Sequence, residues 1–189
     1  MNSFYTEMEL KKLGIKQIGK NVLISRKASL YGVDRIEIGD YVRIDDFCIL
    51  SGKITLGSYI HISAYTSFFG GRTKGIVVED YATVSSRCVV YACSDDYSGD
   101  YMTNAVIPEQ YTNVCEAQVC IKRYSIVGSG CTILPGTTIG EGVAVGAMSL
   151  VNRNLEQWGI YVGIPCKRLK DRNRGLLSKV VAFEENCKE

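Results

Sequence analysis

Bulky branched residues recur at every sixth position along most of the chain. Toward the C-terminus they fall at Ile121, Val127, Ile133, Ile139, Val145 and Val151, and four residues after the first five come Ser125, Cys131, Thr137, Val143 and Ser149. The same frame runs earlier through Ile38, Ile44, Leu50, Leu56, Ile62 and Phe68, with Val42, Cys48, Ile54, Ile60 and Thr66 in the fourth following place. It resumes at Val78, Val84 and Val90, followed by Ala82, Cys88 and Ser94. A period of six belongs to parallel β-helices, whereas an α-helix would space its apolar residues by three, four and seven. The branched side chain then points into a narrow prism, and the residue four later fills the corner. It must be small, because the interior is already near crystal density. Three hexads close one triangular coil, so Ile121 stacks on Ile139 and Val127 on Val145.

The ends lie outside the repeat. Thr6 with Glu9, ahead of Leu10 and Leu13, reads as a capping box on a short helix ending near Gly14. The expected organisation is one all-β domain over 1–189: a helical cap over 1–16, a β-helix over 17–165, and a C-terminal helical segment over 166–189. Helical spacing in that last segment is clearest at Leu176, Leu177, Val180 and Phe183. Two stretches break the coils, 69–76 and 93–119. A loop of the second one's length inside a compact domain is commonly functional, and its tyrosines argue for order.

Composition narrows the partners. Lys and Arg number 22 against 20 Asp and Glu, a net charge of +2, which gives no general attraction to nucleic acid or an anionic membrane. An anionic ligand must therefore meet a local cluster. The first residues contain no apolar signal-peptide core, and no window approaches the roughly 18 apolar residues of a membrane span, so a cytoplasmic protein is expected. Eight cysteines form no C-x-x-C pair, which favours buried free thiols over a metal site or disulfides.

The run "IVGSGCTILPGTTIGEGVAVGAMSLVNR" and the following "GIPCKRLK" resemble the hexapeptide-repeat, left-handed β-helix acyltransferases. The resemblance implies left-handed coiling and a bacterial homotrimer with acyl-CoA in the grooves between subunits. By motif position, Ser129 and Ala147 would line the pantetheine arm through backbone groups, with Asn152 and Arg153 following. Lys167 and Lys170 would hold the CoA phosphates; the alternative is a solvated basic face shared with Arg168, Arg172 and Arg174. Cys166 beside Lys167 matches a variant tolerated in the family, which transfers the acyl group directly, so a reactive thiolate is not expected there.

The 93–119 break lies where the family extends a loop over the acceptor site of an adjoining subunit. In galactoside and maltose acetyltransferases a histidine near its start is the general base, but here the stretch reads Ser94, Asp95, Asp96. The single histidine, His61, precedes inward Ile62 and should face outward. A sugar hydroxyl needs a base with pKa near the operating pH. A neutral amine attacks unaided, and its cationic adduct is acidic enough for a carboxylate or water to deprotonate.

The missing loop histidine therefore favours an amino-sugar acceptor. That agrees with a closer resemblance, through "RIDDFCILSGKITLG", "FFGGRTKGI" and "SDDYSGDYMTN", to acyltransferases acting on dTDP-4-amino-4,6-dideoxyglucose. Such enzymes use acetyl-CoA to make 4-acetamido sugars for bacterial surface polysaccharide. The proton acceptor is then His61 or the pair Asp95 and Asp96, although the aspartates also suit a turn before Gly99 and His61 a subunit contact. Arg72 and Lys74 would meet the nucleotide diphosphate or else belong to a solvated protrusion. Tyr65 or Tyr97 would stack on a nucleobase or else pack as an amphipathic surface tyrosine, and Asn104 joins the substrate-binding candidates.

Other classes fare less well. O-acetylation of a galactoside-like sugar lacks its loop base. A γ-type carbonic anhydrase needs three histidines per site, and an ice-binding scaffold needs an unbroken surface ladder of threonines.

Overall fold

The computed structural model describes residues 3–186; Cys187 and the outermost positions of both expected caps lie outside the described residues. The chain winds into a three-sided solenoid of parallel sheets, two of six strands and one of eight. On the first face Ile38, Leu56, Val78, Ile121 and Ile139 stack in register. Ile44, Ile62, Val84, Val127 and Val145 stack on the second, and Leu50, Phe68, Val90, Ile133 and Val151 on the third. All are buried and form one continuous core. The hexad is thus the length of one face plus one corner.

The inner corner residues are selected for more than size. At one corner Cys48, Thr66, Cys88, Cys131 and Ser149 form a column in which each side chain donates to a main-chain carbonyl. Cys48 reaches the carbonyl of Ser63 at 3.2 Å, Thr66 that of Ser85 at 2.9 Å, Cys88 that of Gly128 at 3.1 Å, and Cys131 and Ser149 that of Gly146 at 3.1 and 2.7 Å. Only a small side chain fits there, and one carrying a donor satisfies an oxygen the turn leaves over.

The corner between the first and second faces turns through left-handed backbone at Asn21, Tyr41, Tyr59, Tyr81, Tyr124, Gly142 and Trp158. Each non-glycine residue there costs about 1–2 kcal/mol. The tyrosines offset this by stacking, with centroids 4.8 Å apart for Tyr41 and Tyr59, 5.0 Å for Tyr59 and Tyr81, and 5.6 Å for Tyr81 and Tyr124. Such pairs contribute about 0.5–1.5 kcal/mol each beyond area burial. At Gly142 a Cβ would lie 2.6 Å from the Trp158 ring, which explains the gap in the ladder.

Helix α1 (Glu7–Lys12) begins with the expected capping box, Thr6 and Glu9 exchanging backbone and side-chain hydrogen bonds, and it buries Leu10 against the first coil. Arg26 grips the Glu9 carboxylate at 2.8 and 2.6 Å. Helix α2 (Leu176–Asn186) lies over the tyrosine ladder, with Phe183 edge-on to Tyr59 at 5.3 Å and Tyr81 donating to Glu184 at 2.8 Å.

Three features depart from the sequence reading. The frame is not constant within the expected 17–165: Ile18, Ile24 and Leu30 stack on Ile38, Ile44 and Leu50, but the 3-10 turn Val33–Arg35 adds residues and shifts it. Ser94 is not an inner corner residue, because the chain leaves the coil after buried Ala92, and Cys93–Ser94 pairs antiparallel with Cys115–Glu116. Residues 166–171 are not helical. Cys166–Asp171 is an edge strand antiparallel to Gly159–Gly163, its charged alternation keeping that edge solvated.

Among the described residues no helix is long and apolar enough to cross a membrane, and no cluster of three or more His, Cys, Asp or Glu is arranged to hold a metal ion.

Candidate active site

Both interruptions leave the solenoid at the same corner, between the third and first faces, in consecutive coils. The shorter spans 70–75; the longer runs from the end of Val89–Tyr91 to the start of Val119–Ile121. Under the longer loop lies a hollow of about 980 Å³, walled by Phe69, Tyr91, Leu134 and Pro135 and closed on the loop side by Asp95, Tyr97 and Val114. The wall is rigid because Phe69 and Tyr91 stack at 5.3 Å on adjacent strands.

The two loop aspartates separate cleanly. Asp96 is a turn brace: it accepts from the amide and hydroxyl of Ser98 and, at 2.8 Å, from Asn113. The Ser98 hydroxyl and then Asn113 hold its carboxyl below the usual range. Asp95 is exposed, lines the hollow, and its carboxylate takes no hydrogen bond among the described residues. Tyr97 stands on the rim, 93% exposed and available to a ligand. Asn104 serves a turn, its backbone at φ 113° and its side chain accepting from the Val106 amide at 3.1 Å.

The shorter loop is committed to the longer one. Arg72 pairs with Glu109 at 2.7 Å, and the amides of Arg72, Thr73 and Lys74 converge on the Glu116 carboxylate at 2.7, 2.8 and 3.3 Å. Burial pushes the Glu116 carboxyl up, but the Thr73 hydroxyl and these amides outweigh it and bring it down to about 2. Lys74 is exposed on a second hollow beside Lys53 and Gln118.

His61 lies on a different side of the molecule. It faces outward from the second sheet, between Arg43 and Thr83, with Nε2 2.7 Å from Asp45. Burial raises the Asp45 carboxyl, yet hydrogen bonds from His61 and Arg43 prevail and leave it lowered. Within one chain, His61 and Asp95 are not brought together.

Ser129 and Ala147 sit exposed at the corner between the second and third faces, one coil apart, the Met148 amide donating to the Ser129 carbonyl at 2.9 Å. Ser86 continues the column, 3.4 Å from the Ser129 hydroxyl. Asn152 and Arg153 follow as an exposed pair after Leu150–Val151. In the basic segment, Arg168 bonds Tyr161 and Asp171, and Arg172 caps the carbonyls of Tyr124 and Gly142. Arg174 lies over Trp158. Of the lysines and arginines in 166–174, Lys167 and Lys170 are the exposed ones given no such partner among the described residues. The Cys166 thiol is buried and pushed up by that burial, so it is no reactive thiolate.

Sequence reasoning missed Glu116, Asp45 and Ser86. Glu116, Ser86 and, apart from the local Arg43, Asp45 meet partners in other coils, at separations that no local motif records.

No family model matches the chain. A curated relative from Escherichia coli, dTDP-4-amino-4,6-dideoxy-D-glucose acyltransferase, is 43% identical over 189 residues, covering 98% of this chain and 97% of its own. The chain belongs to the hexapeptide-repeat left-handed β-helix acyltransferases. Among solved structures, AntD, an N-acyltransferase from Bacillus cereus in complex with dTDP and 3-hydroxybutyryl-CoA, superposes with a TM-score of 0.96 at 51% identity, covering 100% of both chains. A serine variant of AntD is described in complex with dTDP-4-amino-4,6-dideoxyglucose and coenzyme A, at 51% identity, a TM-score of 0.95 and coverage of 98% of this chain and 99% of its own. The acyltransferase therefore combines a continuous solenoid with one long, internally bonded loop, anchored where consecutive coils part.

Proposed function

We propose that this acyltransferase transfers an acyl group from a CoA thioester to the amine of a dTDP-linked amino sugar, dTDP-4-amino-4,6-dideoxyglucose. The carrying observation is the freely exposed carboxylate of Asp95 in a largely apolar hollow, at a loop position where sugar O-acetyltransferases hold histidine. The ligands named for AntD and the activity named for the Escherichia coli relative support the same acceptor. Acetyl-CoA is the donor we propose, with 3-hydroxybutyryl-CoA, the AntD ligand, as the second donor to test.

The amine attacks the thioester carbonyl directly. Asp95 accepts the proton that the cationic tetrahedral adduct must lose, and backbone N–H groups stabilise its oxyanion. Collapse expels the CoA thiolate, which is protonated from solvent. Ser129 and Ala147 border the pantetheine arm, Asn152 and Arg153 follow it, and Lys167 and Lys170 meet the CoA phosphates. AntD was studied as aspartate and serine variants at positions ten residues apart, the spacing that separates Asp95 from Ser85 and Asp96 from Ser86. Of the two aspartates, Asp96 is occupied by its turn.

A second reading makes His61 the base. Its 2.7 Å contact with Asp45 is the geometry of an oriented imidazole. It requires a neighbouring subunit to bring His61 to the loop, in the homotrimer with interfacial sites that we propose, working in a bacterial cytoplasm on precursors of surface polysaccharide. The exposed Phe47, Tyr65, Ile126 and Met148 around that face support such an association.

CoA thiol release from acetyl-CoA, with dTDP-4-amino-4,6-dideoxyglucose and in parallel with a simple galactoside, tests the proposal. Turnover confined to the amino sugar supports N-acylation. Turnover confined to the galactoside would overturn it.

A further inference from the structure

We propose that Glu116 is a positioning residue for the acyl-transfer reaction, a strut that locks the 70–75 loop onto the root of the longer loop and so sets the placement of Asp95 and the acceptor. The proposal rests on the reading of Asp95 and the nucleotide-sugar acceptor given above.

Three consecutive amides, Arg72, Thr73 and Lys74, aim at this one carboxylate, and the Thr73 hydroxyl makes a fourth donor at 2.5 Å. Converging backbone amides of this kind form a concavity that binds anions. Here the anion is the protein's own side chain. Glu116 stands opposite Cys93 in the short antiparallel pair at the base of the longer loop, two residues before Asp95. The Ala117 amide donates to the Ala92 carbonyl at 2.9 Å and fixes the same root from the other side.

The contact is built into the backbone. Gly71 has φ 66°, and a Cβ there would lie 2.8 Å from a Glu116 oxygen, so the loop approaches closer than any other residue permits. Lys53 holds the far side, its amide donating to Gly71 and its ammonium to the Thr73 carbonyl, both at 3.0 Å. The strut therefore runs from the solenoid through the shorter loop to Glu116, then across the strand pair to Asp95. Phe69, which walls the hollow, immediately precedes this shorter loop.

A residue that only stabilises the fold would not divide its effect between the two substrates. Glu116→Gln keeps the size but puts an amide donor against three N–H groups. Replacing it is expected to raise KM for the amino-sugar nucleotide about tenfold and lower kcat about tenfold, with KM for acyl-CoA changed by less than about twofold. Thr73→Val, which keeps the carboxylate, should move the same parameters in the same direction by less. Amide hydrogen exchange provides an arm that does not depend on the substrate. In Glu116→Gln, residues 72–74 and 93–98 should lose protection together while Ile76–Val78 keeps it. Faster exchange at 72–74 alone, or equal rises in both KM values, would overturn the strut. If the wild type acylates no dTDP-linked amino sugar, the functional reading fails, and joint or separate exchange of the two segments still decides whether Glu116 couples them.

Discussion

Nε2 of His61 lies 2.7 Å from one carboxylate oxygen of Asp45, while Nε of Arg43 lies 2.7 Å from the other. The imidazole is thus oriented by a carboxylate that is itself shared with a guanidinium, a surface network on the second face and well away from the loop hollow. Such a network resembles a catalytic dyad in its distances, but it also suits a residue waiting for a neighbouring subunit.

Kinetics separate the two roles. With Asp95 as proton acceptor, Asp95→Asn should lower kcat by about 100-fold or more, within the range of general acid–base catalysis, and His61→Asn by less than about tenfold. Thiol-release assays at saturating amino-sugar nucleotide measure both. The reverse ranking would assign the base to His61 and, with it, to a site shared between chains.

The solenoid was legible because its rule is local: outside the two interruptions, each inward residue from Ile38 to Val151 follows the last by six. Where two residues enter at Val33–Arg35, the count fails and the first coil disappears from the pattern although its packing is the same. Cys88 and Cys131 were legible as small buried residues but not as donors, since which carbonyl a turn leaves over depends on the neighbouring coil. The pair Asp95 and Asp96 could be named by its place in the loop but not divided, because Asp96 is taken up by Ser98 and by Asn113, seventeen residues away, and Asp95 by neither. Glu116 carries no signal at all in "CEAQV", because its partners are three amides on another coil.

The tyrosine ladder carries a measurable share of stability. Tyr81→Ala removes stacking on both Tyr59 and Tyr124 while leaving a left-handed backbone position, and should cost about 1–3 kcal/mol on the pairwise values for stacked rings. Tyr81→Phe loses only the hydrogen bond to Glu184 and should cost about 1 kcal/mol or less. Denaturant titration of the two variants distinguishes ring from hydroxyl.

Thiol reactivity should follow the corner geometry. Cys115 is the exposed cysteine among the seven described, whereas Cys48, Cys88, Cys131 and Cys166 are buried, and burial pushes the Cys48 thiol up to about 11. Alkylation of the native protein near pH 8, mapped by peptide mass spectrometry, should modify Cys115 rapidly and the four buried thiols only after denaturation. Fast native labelling of Cys88 or Cys131 would mean that the solenoid opens at that corner.

Acid should release the shorter loop before it unwinds the coils. The Glu116 carboxyl is brought from an ordinary value of 4.5 down to about 2 in the folded chain. A carboxylate whose folded pKa is depressed binds fewer protons folded than unfolded, so its contribution is complete above pH 4.5 and is lost as pH falls toward 2. In that window the wild type should lose stability relative to Glu116→Gln, which has no proton to take up at this position. Glu9, held at about 2 by Arg26 and then Thr6, titrates in the same interval in both proteins and cancels in the comparison. Denaturant midpoints for the pair should therefore converge on acidification from pH 5, and the protection of amides 72–74 relative to their intrinsic exchange rates should fall in the wild type over the same range. Midpoints that keep a constant separation would mean that the Glu116 carboxylate is not held by those amides in solution.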